Sequence, residues 1–276
     1  MARVAFQGER GAYGEMAALH YFPKASLDPK KSFQEVFDAG EIGVADYVVV
    51  PVENSIEGSV SEIYDLLLQT KMQMIGEVYQ RVRHCLIANR EAKKIKYVYS
   101  HPQALAQCRK YLQKKKLEPL PAYDTAGAVK MIKENRMMDS AAIASKRAAE
   151  LYHMKMLDEG IEDRRYNYTR FIVLSAKKAK TDARPGRYKT SMIFFIKHVP
   201  GALFGIIGEF AVRRINLTKV ESRPTKETPW EYNFYVDFEG RAKDKMVQEA
   251  LRLVKPKTSY LKILGSYRKA AFPRNA

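Results

Sequence analysis

The stretch Asn167-Tyr168-Thr169-Arg170-Phe171 runs directly into Ile172-Val173-Leu174. The apolar run predicts a buried strand, and polar groups at the entrance of such a strand are held in place by a rigid element. Because neighbouring residues of a strand point to opposite faces, we expect Thr169 and Phe171 on one side and Arg170 on the other. Taken alone, the pattern is equally typical of a strand entrance with an Asn turn and a surface arginine.

Polar residues also follow a second predicted strand. The β-branched run from Asp46 to Val52 predicts a buried parallel strand, and it ends in Glu53-Asn54-Ser55. In open α/β sheets, ligands bind outside the carboxyl ends of the strands, so these side chains are candidates for a binding site. The alternative is a polar loop that turns at Gly58 before a helix opening at Ser59.

Similar clusters occur at two other junctions. The predicted strand from Lys96 to Ser100 ends in Ser100-His101-Pro102-Gln103, and Gln107 and Cys108 lie in the first turns of the helix that follows. After the first strand come Gly8, Gly11 and Gly14, which can bring backbone N–H groups close to an anion. Their spacing is that of neither a dinucleotide fingerprint nor a phosphate loop.

The order of the predicted elements indicates the fold class. Up to residue 177 strands and helices alternate, which predicts an α/β domain with a mostly parallel sheet. The charged stretch from Ala179 to Arg187, with Pro185-Gly186, predicts a linker. Beyond it, the elements follow the order βαββαβ, which is the ferredoxin-like pattern.

Composition excludes several classes of protein. The chain has only two cysteines, Cys85 and Cys108, which argues against a disulfide framework and predicts a cytoplasmic location. The five histidines are scattered, so no metal site is expected. No apolar run approaches the ~18 residues of a membrane span, and no signal peptide is expected at Met1 to Phe6.

The net charge of +17 is the most unusual bulk property. It could indicate nucleic acid binding, but the lysines form short clusters without interleaved aromatic residues, and no nucleic-acid motif is present. A basic surface would also attract a small anion, or it could reflect the composition of the organism's proteins in general. We therefore expect neither a nucleic acid nor a membrane as partner.

Five motifs in this order resemble one family. In the first domain they are Pro51-Val52-Glu53-Asn54-Ser55 with Gly58, Ser100-His101-Pro102-Gln103-Ala104-Leu105 with Gln107-Cys108, and Thr169-Arg170-Phe171. In the second domain they are Gly201-Ala202-Leu203-Phe204 and Glu221-Ser222-Arg223-Pro224. With these motifs, nearly the whole chain resembles prephenate dehydratase with a C-terminal regulatory ACT domain.

The resemblance implies a two-lobed catalytic domain over residues 1–177 that is similar to the periplasmic binding proteins. The chain would cross between the lobes twice, with lobe 1 at about 1–75 and 168–177 and lobe 2 at about 76–167. Residues 189–276 would form the ferredoxin-like ACT domain. It further implies a carbon–oxygen lyase of phenylalanine biosynthesis that converts prephenate to phenylpyruvate without a metal or redox cofactor. Feedback inhibition by L-phenylalanine in a homodimer or homotetramer is implied as well.

The family assigns the catalytic role to Thr169, which we interpret as a positioned donor to the leaving hydroxyl. Arg170 is expected to pair with a substrate carboxylate. If it points away from the cleft, it is structural and backbone N–H groups bind the anion. Phe171 is expected to pack near the substrate ring, and Glu53 is either a second acid or an orienter of Arg170. Further substrate contacts are expected from Asn54, Ser55, Ser100, Gln107, Thr125 and Asn167, and a structural role from His101.

In the second domain, the N–H groups of Gly201, Ala202 and Leu203 are expected to meet the carboxylate of bound L-phenylalanine. The following strand would contribute across a dimer interface, with Asn216, Glu221, Ser222, Arg223 and Pro224. The alternative is a dimerisation module that binds no ligand.

The sequence departs from the family pattern at three places. The first glycine loop, Gly8-Glu9-Arg10-Gly11, lacks the usual proline, and Gly14 stands where the family usually has Ser or Thr. In the segment from Asp124 to Ala128, the family often has Ser at the position of Asp124 and Glu at that of Gly127. Two other functions remain open. The substrate could be arogenate, or the protein could be an amino-acid-sensing binding protein that has lost catalysis.

Overall fold

A computed structural model describes residues 1–177, 185–225 and 232–273 of the chain. The first elements in chain order are β1 (Arg3–Gln7), α1 (Tyr13–Tyr21), β2 (Ser26–Lys30), α2 (Phe33–Glu41), β3 (Tyr47–Asn54), β4 (Gly58–Ser59), α3 (Ser61–Gln69) and β5 (Gln73–Arg81). Strand β1 lies between β2 and β3 and is parallel to both. This part of the chain therefore has the parallel strands that the alternating pattern predicts.

The middle of the chain builds a second sheet. Its elements are β6 (Cys85–Ala88), β7 (Tyr97–Ser100), α4 (Pro102–Gln107), α5 (Arg109–Lys115), β8 (Glu118–Pro121), α6 (Thr125–Glu134), β9 (Ser140–Ala144), α7 (Lys146–Leu151) and β10 (Lys155–Glu159). The strand order is β10-β6-β9-β7-β8. Strand β7 is parallel to β8 and β9, whereas β6 is antiparallel to β9 and β10, so this sheet is mixed.

The chain then returns to the first sheet through β11 (Tyr168–Ser175), all of whose residues are buried. The first sheet has the order β2-β1-β3-β11-β5, and β4 pairs with β3. A chain that leaves a sheet, builds a second one and returns passes twice between the two sheets, as the resemblance implies.

The last elements are β12 (Tyr188–Phe195), α8 (Ala202–Ala211), β13 (Leu217–Pro224), β14 (Tyr232–Glu239), α9 (Lys245–Val254) and β15 (Tyr260–Arg268). Their order is βαββαβ, as predicted, and the sheet order is β13-β14-β12-β15 with antiparallel neighbours. Apolar side chains of both helices, among them Phe210 of α8 and Val247 of α9, pack against Phe194 and Phe238 on one face of this sheet. The predicted linker lies mostly outside the described residues.

The described chain divides into two compact units. Unit 1 comprises Met1–Ile63 and Val78–Phe171, and unit 2 comprises Tyr64–Glu77 and Ile172–Ala276. The lobe and domain limits that we derived from the sequence stay predictions. Among the described residues, none belongs to a helix that is long and apolar enough to cross a membrane.

One predicted helix start is wrong, and two edge strands were not predicted. Gly58 and Ser59 do not open a helix but pair with Asn54 and Glu53, and α3 begins at Ser61. The strands that were missed are β2 and β10, each at an edge of its sheet. Their residues are mostly exposed or half-buried, so they carry little of the apolar pattern that marks a strand in a sequence.

Candidate active site

A cavity of about 560 Å³ lies in unit 1. It is bordered by the carboxyl end of β3, the first residues of β11 and the N-terminal turns of α1, α4 and α6. Five of the residues predicted as catalytic or substrate-binding line it: Asn54, Gln107, Thr125, Thr169 and Phe171. The structure therefore brings together residues that are far apart in the sequence.

Strand alternation places Thr169 and Phe171 on the cavity side of β11, as expected. Arg170 is not among the lining residues and is only 6% exposed. Its Nη1 lies 3.8 Å from Oε2 of Glu53, which is also absent from the cavity wall. Of the two roles that the sequence left open for Arg170, this geometry favours the structural one.

Three other predicted residues are not among those that line the cavity. The Ser100 side chain is fully buried and donates to the Ile143 carbonyl at 2.6 Å. Ser55 Oγ accepts from Tyr168 N at 3.0 Å, which ties the end of β3 to the start of β11. Asn167 is fully buried and contacts the lining residues Asn54 and Gln107. Their part in binding a substrate stays a prediction.

Asn54 has a single possible orientation. Its Oδ1 accepts from the backbone N–H groups of Ile56 at 2.9 Å and Glu57 at 3.0 Å. Its Nδ2 must then be the donor, and it lies 2.8 Å from Asn167 Oδ1 and 3.0 Å from Thr169 Oγ1. Because Thr169 accepts this hydrogen bond, its own hydroxyl proton is left for an acceptor in the cavity.

The orientation continues through two more amides. Asn167 Oδ1 accepts from Asn54, so Asn167 Nδ2 is a donor, and it reaches Gln107 Oε1 at 2.8 Å. Gln107 Nε2 points towards Glu57 Oε1 at 3.4 Å. The carbonyl of Gln107 also lies 3.1 Å from Nε2 of His84. One row of side chains thus connects His84 with Thr169.

His84 and Tyr13 both line the cavity, although neither was predicted as a site residue. His84 is 2% exposed and burial lowers its pKa, so the neutral imidazole is favoured. The only signal in the sequence is the position of His84 between Val82 and Cys85, directly before a buried strand. Thr169 likewise lies at the entrance of a buried strand.

The N-terminus of α6 supplies another part of the wall. Asp124 caps the helix, with its Oδ1 accepting from Gly127 N at 2.7 Å, and burial raises the pKa of its carboxyl group. His101 also acts as a cap, since its Nδ1 accepts from Gln103 N at the start of α4. His101 also lines the cavity, so its structural role stays a prediction.

The three departures from the family pattern lie close together. Gly14 lines the cavity. At Gly127, a Cβ atom would lie 2.7 Å from the ring of Tyr123, which covers this turn of α6. The hydroxyl of Tyr123 donates to Glu9 at 2.8 Å, and Glu9 belongs to the glycine loop that lacks proline. The side chain of Tyr123 thus occupies the space that a glutamate side chain at position 127 would need.

The arrangement suits hydrogen bonding to an anion. The described residues that line the cavity include neither lysine nor arginine, whereas the N-terminal turns of α1 and α6 border it. Helix N-termini present N–H groups and a positive dipole end to anions. Burial raises the pKa of the Cys85 thiol to about 12, so this residue is no nucleophile. Within the described chain, no cluster of His, Cys, Asp and Glu could hold a metal ion.

A smaller cavity of about 120 Å³ lies in unit 2 at the start of α8. Ala202 and Leu203 line it together with Tyr232 and Phe234, and Gly201 precedes the helix with φ +80°. The other predicted regulatory residues lie on β13 or directly before it, as Asn216 does. Of these, Glu221 lies 3.6 Å from Lys219 Nζ. Ligand binding by this set stays a prediction.

Comparisons with known proteins agree with this geometry. Residues 4–179 match the family model described as prephenate dehydratase. The chain is 42% identical over 279 residues to arogenate dehydratase/prephenate dehydratase 2 of Arabidopsis thaliana, covering 96% of this chain and 72% of the relative.

Two solved structures are similar over almost the whole chain. One is GqqA, described as a novel type of quorum quenching acylase, with a TM-score of 0.91, 31% identity and coverage of 99% and 100%. The other is the prephenate dehydratase of Arthrobacter aurescens in complex with L-Phe, with a TM-score of 0.88, 29% identity and coverage of 97% and 90%. The family match, the relative and the cavity around Thr169 lead to the same conclusion, which is that the chain belongs to the prephenate dehydratase family.

Proposed function

We propose that the protein converts prephenate to phenylpyruvate, carbon dioxide and water in the biosynthesis of L-phenylalanine. In this reaction the bond from the ring to its carboxylate breaks, and its electron pair completes the aromatic ring. The ring hydroxyl departs and takes up one proton to leave as water. The observation that carries the proposal is the Thr169 hydroxyl, which accepts from Asn54 and therefore has a proton to donate into the cavity.

The lining residues can position such a substrate. Phe171 offers an aromatic face beside Thr169, and the N-terminal turns of α1 and α6 offer N–H groups to the two carboxylates. Holding the hydroxyl in contact with its donor reduces the entropic part of the barrier. The driving force comes from the substrate, because an aromatic ring is formed.

The first test is phenylpyruvate formation from prephenate by the purified protein and by Thr169→Ala. We expect the variant to lose on the order of 100-fold or more in kcat, because a positioned proton donor contributes about that much. Thr258→Ala is the control, since this threonine bonds only a turn carbonyl of unit 2, at Lys255. Full activity of Thr169→Ala would contradict the proposed role.

Arogenate is the second candidate substrate, and two carboxylates on the cavity wall favour it. Arogenate carries an ammonium group where prephenate has a keto group, and Glu57 and Asp124 both border the cavity. If Glu57 binds that ammonium group, Glu57→Gln lowers kcat/KM for arogenate and leaves prephenate nearly unchanged. Equal effects on the two substrates would exclude this role.

Acyl transfer is a less suitable reaction for this site. An acylase needs a nucleophile beside a general base. Thr169 Oγ1 accepts from the amide of Asn54, which cannot take up a proton. The similarity to GqqA therefore justifies an acylase assay on the same preparations, with no activity expected.

We also propose that the βαββαβ module is an ACT domain through which L-phenylalanine inhibits the enzyme in a dimer or tetramer. The small cavity at Ala202 and Leu203 supports this, as does the L-Phe complex of the Arthrobacter aurescens relative. We expect L-phenylalanine to inhibit the wild type, and Leu203→Ala to weaken inhibition at unchanged kcat. Turnover that L-phenylalanine does not affect would remove only this regulatory part.

A further inference from the structure

The row of side chains from His84 to Thr169 has only one consistent set of proton positions. It begins at Asn54, whose Oδ1 is fixed as an acceptor by two backbone N–H groups. Each amide in turn must then place its oxygen towards the preceding NH₂ group. The last of these oxygens, Gln107 Oε1, faces His84 Nε2 at 3.1 Å. An oxygen acceptor at that distance requires a proton on Nε2.

The other ring nitrogen of His84, Nδ1, lies beside the hydroxyl group of Tyr13, which can take either of two orientations. Tyr13 Oη lies 3.2 Å from His84 Nδ1 and 2.7 Å from the Arg83 carbonyl. Burial raises the pKa of Tyr13 well above its usual value, so the hydroxyl keeps its single proton. That proton can be donated either to Nδ1 of a neutral ring or to the carbonyl. The carboxylate of Glu162 accepts from the His84 backbone N–H at 2.9 Å.

We propose that His84 is a positioning residue for Thr169. Its ring is protonated on Nε2, and the three amides transmit this orientation across the cavity wall to the threonine hydroxyl. The role rests on the proposed dehydratase reaction, because it matters only where Thr169 donates a proton. His84 acts through its neighbours and holds the Gln107 carbonyl in place, which keeps the donated proton of Thr169 directed into the cavity.

The protonation state can be observed without any activity measurement. In protein labelled with ¹⁵N-histidine, two-bond ¹H–¹⁵N correlations distinguish a proton on Nε2 from one on Nδ1. The chain has five histidines, and the signal that His84→Gln lacks identifies His84. We expect the neutral ring to carry its proton on Nε2. A proton on Nδ1 would overturn the inference.

The variant Asn54→Asp tests the connection along the row. A carboxylate still accepts from Ile56 N and Glu57 N but has no NH₂ group to donate. Asn167 and then Gln107 would have to turn over, and Gln107 would present its NH₂ group to His84. We therefore expect the His84 proton to move from Nε2 to Nδ1. An unchanged tautomer would mean that the amides do not transmit orientation.

Kinetics test the role in the reaction. We expect His84→Phe to lower kcat on the order of 10- to 100-fold, because small misplacement of a reacting group costs about that much. KM should stay within about threefold of the wild-type value, since the proposed role of His84 is to orient Gln107 and not to bind substrate. His84→Gln keeps an N–H donor for Gln107 and should recover most of the loss. His20→Gln is the control, because His20 is exposed and lies outside the cavity.

The two proposals can fail separately. If the wild type turns over neither prephenate nor arogenate, the proposed reaction is wrong, and the positioning role falls with it whatever the tautomer. If the wild type is active and His84→Phe retains full kcat, His84 is not a positioning residue. Should His84→Phe fail to fold, the tautomers of the wild type and of Asn54→Asp decide.

Discussion

Two glycines close in sequence to the cavity-lining residues Ala12 and Thr125 show how differently the same residue type is constrained. Gly11 has φ +93°, and an added Cβ would lie 2.8 Å from the Ala148 Cα. At Gly127, the atoms nearest to an added Cβ belong to the side chain of Tyr123, a residue that is 61% exposed. Backbone cannot move aside cheaply, whereas an exposed side chain can. Gly11 is therefore required by the fold, and Gly127 is required only by the present position of Tyr123.

We predict that Gly11→Ala lowers the free energy of unfolding by about 1–3 kcal/mol, because it combines a left-handed φ with a backbone clash. Gly127→Ala should cost nothing or stabilise by up to ~1 kcal/mol, since alanine is the better helix former. Urea denaturation of both variants measures the difference. A larger loss for Gly127→Ala than for Gly11→Ala would contradict this explanation.

At the scale of the element, helix caps connect the site to its supports. Ser32 caps α2, with its Oγ accepting from Glu35 N at 3.2 Å. Ser145 caps α7 in the same way, with Ala148 N as donor. Ser145 is also buried and donates to the Gly11 carbonyl at 2.6 Å. It therefore holds the glycine loop as well as its own helix.

Replacing the two serines by alanine separates these contributions. Ser32→Ala should cost about 1 kcal/mol, which is typical of a lost N-cap. Ser145→Ala should cost about 2–3 kcal/mol, because it also removes a hydrogen bond to a buried carbonyl. The midpoints and slopes of urea denaturation curves give both values. Equal costs would show that the bond to Gly11 contributes nothing.

At the scale of the whole molecule, the chain segment Tyr64–Glu77 belongs to unit 2 although it lies within the part that matches the dehydratase family. Within this unit, Tyr235 Oη donates to the Tyr64 carbonyl at 2.7 Å. Lys262 Nζ donates to the carbonyls at the end of α3, including that of Leu68 at 2.9 Å. A cation at the C-terminus of a helix is stabilising. The segment is thus held by hydrogen bonds from the βαββαβ module.

A buried ion pair in the same unit, between Lys189 and Glu77, should contribute strongly to the free energy of unfolding. Lys189 Nζ lies 2.9 Å from Glu77 Oε2, with side chains 3% and 0% exposed, and Glu77 Oε1 accepts from Ala270 N. Lys189→Met leaves a buried carboxylate without this cation and should cost about 3–5 kcal/mol. The double variant with Glu77→Gln should recover part of that loss, since glutamine still accepts from Ala270 N.

Unfolding of the full chain in urea measures these effects. Lys30→Met is the control, because it breaks a half-exposed ion pair with Asp28 at 3.1 Å and should change stability by less than ~1 kcal/mol. If Lys189→Met is no worse than Lys30→Met, or if the double variant is no better than Lys189→Met, the pair does not act as described.

Much of the architecture could be predicted because a buried element leaves a pattern of apolar residues within its own short stretch of sequence. Strand β11 is buried along its whole length and appears as an apolar run. Alternation in that strand correctly placed Thr169 and Phe171 on the side of the cavity. The exposed edge strands β2 and β10 could not be predicted, since they bury too little to leave a pattern.

The site was predicted less completely. Of the polar residues in the three motifs, Asn54 and Gln107 line the cavity, whereas Ser100 and Arg170 occur in the same kind of motif and do not. His84 was missed because a single histidine before a strand carries little information. Folding decides which of these residues come together. Asn54 and Asn167, for example, are hydrogen-bonded although they are 113 positions apart in the sequence.

The sequence by itself determined the alternation of strands and helices up to residue 177 apart from β2, β4 and β10, the βαββαβ order of the second module, and the resemblance to the family. Each of these depends on periodicity and short motifs, which need no knowledge of distant residues. Only the tertiary structure decided the direction of every proton between His84 and Thr169, and the membership of Tyr64–Glu77 in unit 2. The reason is physical. Hydrogen bonds act over about 3 Å, so their partners are settled only when folding brings separate segments together.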